Sequence, residues 1–365
     1  MKILVFASLT LPATANYLIT ALREAGHELF VCSDISNLLV NLQVRGAVDA
    51  AQICASHGLT PDLLLFIEGG TMRIFPIGLE HMTCLTAWYG IDTHMDYNKH
   101  LRMGRLFDVT FIAQKEFVVQ LQKDGLKQVH WLPLAFAPAL HPNQALDRLY
   151  DVAYVGSSSA KMHPVRHAML AALKIEFPSS SFGLASPIDM GRIYASSKLV
   201  FNRSVNNDVN MRYFEAAGSG AVLLTDRAIN NGLETLFEEG VHYVVYQDEV
   251  SLLTVARALV ADPAKCEKMG RAARQRVLEQ HTYLHRANAL MADLKLSVKL
   301  ARAEPENYFS ALLALDMLGA ALRAAARAMA GASGGMYRRL AGGITAFVLI
   351  GMGLLLSQLE RIRKP

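Results

Sequence analysis

The chain has 365 residues, 52% of them hydrophobic and 19% charged, with a formal net charge of +4. A single core stops growing at roughly 250–300 residues, so this length calls for two domains. Eight of the 36 Lys and Arg and four of the 32 Asp and Glu lie in residues 301–365, leaving a body with 28 of each sign and no basic patch of the kind that nucleic acid requires.

Short apolar runs alternate with helical patterns from the first residue on. The opening MKILVFASLTLPATA has a lone Lys2, an apolar run and an Ala-Thr-Ala, the outline of a weak signal peptide. Lys2 to Ser8 also reads as a buried strand, followed by a helix that ends at Gly26 and a second strand in HELFVCSD. Cleavage would destroy that β-α-β unit, so the segment is read as mature structure. Strands are expected at Ile3–Ala7, Glu28–Cys32, Asp62–Glu68, Thr83–Tyr89, Val109–Ala113 and His130–Leu134, with helices around Tyr17–Ala25, Val48–His57, Asn98–Arg105 and Lys115–Asp124. Continuous apolar strands bracketed by helices predict a parallel sheet covered on both faces.

The stretch Pro138–Arg148 has two prolines and little periodicity, and reads as the inter-domain linker. A second series follows, with strands at Tyr150–Ser157, Ser180–Ala185, Lys198–Ser204, Gly220–Asp226 and Val241–Tyr246. Helices are expected near Val165–Ile175, Asp189–Ala195, Met211–Ala217, Leu233–Glu238, Val250–Val260 and Pro263–His281. The fold class is therefore α/β: two tandem Rossmann-like domains at residues 1–140 and 149–300, then a helical tail at 301–365. In doubly wound sheets ligands sit at the C-terminal ends of the strands, which places a ligand in the cleft between the domains.

Residues 340–359 contain no charge, and 20 residues match a bilayer core of about 30 Å. Arg338 and Arg339 flank one end; Arg361, Arg363 and Lys364 flank the other. Before it, Asp316, Arg323 and Arg327 fall within roughly 40° of one another on a helix, a narrow polar stripe suited to a membrane interface. The expectation is attachment through residues 308–359 to the cytoplasmic side of a membrane, with 340–359 as candidate span. The alternative is a hairpin packed on a soluble cytoplasmic protein. Glycines at 342, 343, 351 and 353 weaken the span.

Four cysteines, Cys32, Cys54, Cys84 and Cys266, form no C-x-x-C pair and read as isolated thiols in a reducing compartment. No D-x-D motif occurs, so no metal is invoked. After the first strand comes SLTLPATANYL with no G-x-G-x-x-G, which disfavours a nicotinamide-dependent dehydrogenase.

Chemistry concentrates in NMRYFEAAGSGAVLLTD, Asn210 to Asp226. The helix carrying Glu215 starts at the C-terminal edge of the second sheet, where free N–H groups and the helix dipole favour a phosphate. Arg203 and Arg212 flank the preceding loop as donors of charge-assisted hydrogen bonds. Glu215 has two acceptor oxygens, which suits vicinal hydroxyls; an ion pair with Arg212 at i,i+3 spacing explains it equally well. A second anion site is expected at VGSSSAKMHPVRH, with Gly156, Ser157 and Lys161 entering a helix, although serine-rich caps are common. His130, His163, His167 and His281 read as structural, and Trp88 and Trp131 as core.

NMRYFEAAGSGAVLLTD, GLETLF, DEVSLLTVARALVADP and GRAARQRVLEQHTYLHRANAL together resemble the C-terminal half of a GT-B glycosyltransferase, closest to the CgeB-like branch of family-1-type transferases. DLLLFIEGG, WYGIDTH, LFDVTFIAQKEFVVQLQKDGLKQVHWLPLAF and YDVAYVGS are similar to the same branch, and the resemblance spans about residues 1–295. It implies a second domain that binds a nucleotide-diphosphate sugar as donor substrate, with no cofactor, and a first domain that holds the acceptor. Glu215 matches the glutamate that contacts the donor ribose, Arg212 the arginine before it, and Gly218 and Gly220 the small residues that let the backbone approach the nucleotide. The retaining relatives carry a second glutamate eight positions earlier, where this chain has Asn207 with Asp208 beside it. An inverting reaction needs a base near the acceptor hydroxyl. Asp92 and His94 in YGIDTH, with Asp92 ranked first, and Glu68 in FIEGG are the candidates, although each also reads as a cap or a structural residue. The implied function is sugar transfer to a lipid-linked or surface-polysaccharide acceptor; the alternative is a non-catalytic module that binds a nucleotide sugar or a protein at the membrane.

Overall fold

A computed structural model describes residues 1–10, 13–69, 73–140 and 146–300. In the first lobe the chain runs β1 (Lys2–Ala7), α1 (Thr14–Glu24), β2 (Glu28–Ser33), β3 (Leu42–Gln43), β4 (Gly46–Asp49), α2 (Ala50–His57), β5 (Leu63–Ile67), β6 (Ile74–Ile77), β7 (Leu85–Gly90), α3 (Tyr97–Gly104), β8 (Val109–Ile112), α4 (Glu116–Lys123) and β9 (Val129–Trp131). Seven strands form one sheet in the order β3-β2-β1-β5-β7-β8-β9, every neighbouring pair parallel. β4 and β6 make a separate parallel pair. Sequence pattern alone left out β3, β4 and β6: β3 has only two residues, and the other two pair only with each other, outside the main sheets.

The second lobe runs β10 (Tyr150–Val155), α5 (Pro164–Glu176), β11 (Ser181–Gly183), α6 (Pro187–Ala195), β12 (Ser197–Phe201), α7 (Met211–Ser219), β13 (Val222–Asp226), α8 (Leu233–Leu236), β14 (Tyr243–Tyr246), α9 (Glu249–Val260), α10 (Pro263–Gln280) and α11 (Tyr283–Leu296). Its sheet is parallel in the order β11-β10-β12-β13-β14, so the order reverses between β10 and β12. That reversal makes a crevice at the strand ends.

Strand residues alternate between two faces, and both faces are buried. Ile3, Val5, Ala7, Leu63, Leu65 and Ile67 belong to a core that continues through Leu134 and Phe136 into Val200, Phe214, Leu223 and Leu290 of the second lobe. Leu4, Phe6, Leu64 and Phe66 face a separate core under α2 and α3. Val152, Leu199, Val222 and Leu224 face a third, with α5 and α9. One core is therefore common to both lobes.

The chain crosses between lobes twice. The Phe136 amide donates to the His281 carbonyl at 2.8 Å and the Tyr283 amide to the Phe136 carbonyl at 3.0 Å, so the crossings lie side by side. Arg286, buried, donates to the carbonyls of Pro133 at 2.9 Å and Gln280 at 3.3 Å, one on each crossing. α11 then packs on α1 of the first lobe, although sequence order puts it with the second. It starts with Thr282 as N-cap, in a capping box closed by His285 rather than the usual Glu or Gln. The expected membrane segment lies outside the described residues. Among the described residues no helix is long and apolar enough to cross a membrane.

Candidate active site

Gly156 directly follows β10 with φ of +151°, and a Cβ there would lie 2.9 Å from the Tyr154 hydroxyl and 3.0 Å from Arg212 Nη2. Only glycine fits this crossing of strand end and arginine. Ser157 and Lys161 follow on an exposed loop that leads into α5.

Arg212 is fully engaged. Its Nε donates to the Tyr194 hydroxyl at 3.1 Å, Nη1 to Asn202 Oδ1 at 2.8 Å and Nη2 to the Val155 carbonyl at 2.9 Å, and the guanidinium stacks 4.5 Å from the Tyr154 ring centroid. It ties the ends of β10 and β12 to α6, and it forms no ion pair with Glu215. Arg203 turns the other way, to Asp226 at 3.6 Å, and borders an open pocket of about 430 Å³ over β12, β13 and β14. The two arginines expected to flank one anion are thus each committed to partners of the protein itself.

Glu215 stands one turn into α7, half-buried, and its carboxylate makes no hydrogen bond or ion pair among the described residues. Burial pushes its pKa up to about 7, against the opposing pull of Arg212. The same charge, after burial, helps raise the hydroxyls of Tyr17 on α1 and Tyr283 on α11, so the carboxylate faces both lobes across the seam. Tyr17 and Tyr283 themselves pack with ring centroids 5.4 Å apart.

Gly218 and Gly220 each have a structural task in the fold. A Cβ on Gly218 would enter the Phe136 ring, 2.0 Å from its nearest atom, so this glycine lets α7 lie against the first crossing. Gly220 caps α7 in the left-handed conformation at φ +70°, and Arg148 binds its carbonyl at 2.6 Å. Both lie at the end of α7 remote from the crevice. Gly220 ends the helix, and Gly218 lets it pack against the first crossing.

In the first lobe Glu68 directly follows β5, and β7 ends at Gly90. Glu68 is 4% exposed. Its Oε2 accepts the amides of Ile91 at 2.6 Å and Asp92 at 3.0 Å; Oε1 lies 3.1 Å from His100 Nε2 and 3.8 Å from Lys99 Nζ. Burial would raise its pKa, but His100, by charge and hydrogen bond, the Asp92 amide and Lys99 hold it at about 2. Such an acid is a poor proton acceptor; it shapes the loop that carries Asp92 and His94. Asp92 is half-buried, and its pKa is raised by burial and by the charge of Glu68, partly offset by His94 and His100. His94 Nδ1 is buried without a hydrogen-bond partner.

Asp208 comes from the opposite lobe and is 7% exposed. Burial raises its pKa, while the Val205 amide and the nearby His94 oppose the rise. Asp92 and His94 of one lobe thus face Asp208 of the other. Asp208, Tyr17, Lys99 and His100 were not singled out from sequence, since only the fold brings them near the site. Trp88 is fully buried; Trp131 is half-buried, donates to the Ala113 carbonyl at 3.1 Å and lies under Lys115.

The model of the family described as glycosyl transferase-like matches residues 160–292. Among solved structures, HepE of Anabaena with UDP and glucose superposes with a TM-score of 0.61 at 12% identity, covering 81% of this chain and 99% of that one. Sucrose-phosphate synthase of Thermosynechococcus elongatus gives 0.55 at 12% identity over 81% and 98%. A glycosyltransferase of Rickettsia africae gives 0.53 at 12% over 81% and 98%. At these identities the likeness is one of fold. None of the curated proteins matches in sequence. Residues 160–292 match the glycosyl transferase-like family, and the chain shares the two-lobed GT-B fold of these glycosyltransferase structures.

Proposed function

We propose that the chain, a member of the CgeB-like branch, moves a sugar from a nucleotide-diphosphate donor to a lipid-linked or surface-polysaccharide acceptor at the cytoplasmic side of a membrane. The observation that carries the donor site is Glu215: an unpaired carboxylate at the inter-lobe seam, at the switch point of the second sheet, with a pKa near 7. A buried acid without partners is costly unless something supplies them. Vicinal ribose hydroxyls do so, and the Gly156–Lys161 loop lies on the same strand-end side for the diphosphate. HepE and its UDP support this reading by analogy of fold.

The acceptor hydroxyl enters from the first lobe, where Asp92 and His94 stand ready to take its proton. A carboxyl whose pKa is raised by burial and by Glu68 is a better proton acceptor than an ordinary one, and His94 stands beside it. The uncharged run 340–359 supports membrane attachment and, through it, a lipid-borne acceptor.

Calorimetry with UDP, together with UDP release from a panel of UDP-sugars, tests this. Wild-type protein should bind and turn over, and Glu215→Ala should do neither. Binding without turnover of any sugar points instead to the non-catalytic module. Equal binding by Glu215→Ala removes the donor site.

A further inference from the structure

Two consecutive residues, Asn206 and Asn207, have φ of +48° and +68°. Asparagine tolerates the left-handed region better than most residues, yet two in a row persist only where the surroundings hold them. Here they are held from both lobes. Asn207 Nδ2 donates to the Ile229 carbonyl at 2.7 Å and, across the cleft, to Glu116 Oε2 at 2.6 Å. Its Oδ1 accepts the Ile229 amide at 2.8 Å, and its carbonyl accepts Asn231 Nδ2 at 2.9 Å. Asn206 Nδ2 donates across the cleft to the His94 carbonyl at 3.2 Å. The Val209 amide donates across it to Gln114 Oε1 at 3.1 Å, and Gln114 is 2% exposed.

Between these contacts sits Asp208, with Oδ1 accepting the Val205 amide at 2.6 Å. The loop therefore touches the first lobe on either side of its one carboxylate. We infer that Ser204–Asn210 is a closure latch, in which Asn207 and Glu116 are positioning residues that bring Asp208 against His94 and Asp92. Asn207 stands where the retaining relatives carry a second glutamate. Its amide is instead consumed by Glu116 and Ile229, and the carboxylate of the loop has moved one residue on. Opening the lobes takes Asp208 away and leaves the proton-handling group incomplete, so bond making is confined to the closed state. The statement about turnover rests on the glycosyl-transfer reading; the latch itself does not.

Hydrogen exchange on the full chain separates the two. In Glu116→Ala the Val209 amide should exchange roughly tenfold faster or more, the effect of losing one hydrogen bond to a charged acceptor, while β13 amides stay protected. Glu116→Gln keeps an acceptor oxygen and should stay close to wild type. Asn207→Ala should also expose the Ile229 amide. UDP binding should be unchanged in Glu116→Ala while the rate of UDP release from UDP-glucose, or from whichever UDP-sugar wild type uses, falls about tenfold. Unchanged Val209 protection in Glu116→Ala overturns the latch, as does equal exposure in the Ala and Gln variants. Loss of protection throughout β13 also overturns it, because Glu116 would then be a folding residue. Absence of turnover in wild type, with Val209 behaving as expected, overturns the transfer reading and leaves the latch standing.

Discussion

Glu68 and Glu215 are the same side chain, one just beyond a strand of the first lobe and the other one turn into a helix of the second. Their fates are opposite. Glu68 accepts two amides and faces His100 and Lys99, and its pKa is near 2. Glu215 has no such partners, and its pKa is near 7. Burial acts on both in the same direction, so the difference comes from what surrounds each carboxylate. A fully satisfied acid holds structure together, and an unsatisfied one at a seam is available to a ligand.

The largest expected effect breaks the paired member. Glu68→Ala leaves His100, Lys99 and two loop amides without their acceptor, and a broken buried pair costs about 3–5 kcal/mol. Chemical denaturation should register the loss. The paired acid also fixes the sign of acid unfolding. Its folded pKa is depressed, so its stabilisation is present above pH 4.5 and is lost as pH falls from there toward 2. The Ala variant should lack that component. A stability loss below about 1 kcal/mol would mean that the loop is held by other contacts.

Next in size is the unpaired member. If Glu215 receives two ribose hydroxyls, Glu215→Gln should weaken UDP binding roughly 100-fold, the equivalent of about 3 kcal/mol, without lowering stability at pH 8. Calorimetry beside a thermal melt distinguishes this from misfolding. A variant that binds normally makes the two glutamates alike in function despite their different settings.

The contrast was only half legible in the sequence. That Glu215 lies on a helix at the second strand-end edge followed from an apolar strand, a polar loop and a helix broken before GAVLLTD. That it lacks a partner did not follow, because i,i+3 spacing to Arg212 predicts an ion pair as readily as it predicts freedom. The three hydrogen bonds that take Arg212 away come from Tyr194, Asn202 and Val155, all distant in sequence. Glu68 was legible as a polar residue at a strand end, but His100 and Lys99, which quench it, arrive on α3 some thirty positions later. The apolar strands pointed to the two sheets and most of their helices; β3, β4, β6 and the whole of α11 were missed, the last of these beginning with a His-closed capping box rather than the usual signal.

Gly218 carries the next prediction, and it sharpens which end of α7 serves the ligand. Gly218→Ala places a methyl inside the Phe136 ring, and Phe136 is fixed by its own backbone bonds to His281 and Tyr283. Overpacking of this kind costs about 1–3 kcal/mol. A melt should show the destabilisation while UDP affinity per folded molecule stays unchanged. A selective loss of affinity would restore Gly218 to the nucleotide site and shift the ligand toward the far end of the helix.

The smallest effect is the most specific to Glu215. Its folded pKa, about 7, lies above the value of 4.5 that it has when unfolded, so between those pH values the folded chain keeps a proton that the unfolded chain has released. Stability therefore falls as pH rises from 4.5 to 7, and Glu215→Gln should flatten that part of the profile. Hydroxyl donors favour the charged carboxylate, so UDP affinity should move the opposite way. It should increase roughly tenfold from pH 6 to pH 8 in wild type, following the fraction ionised, and stay level in the Gln variant. Because stability and affinity are expected to change in opposite directions between pH 6 and 7, where the two ranges overlap, a shared trend there would show that some other group is titrating and that Glu215 is not the acceptor of the ribose.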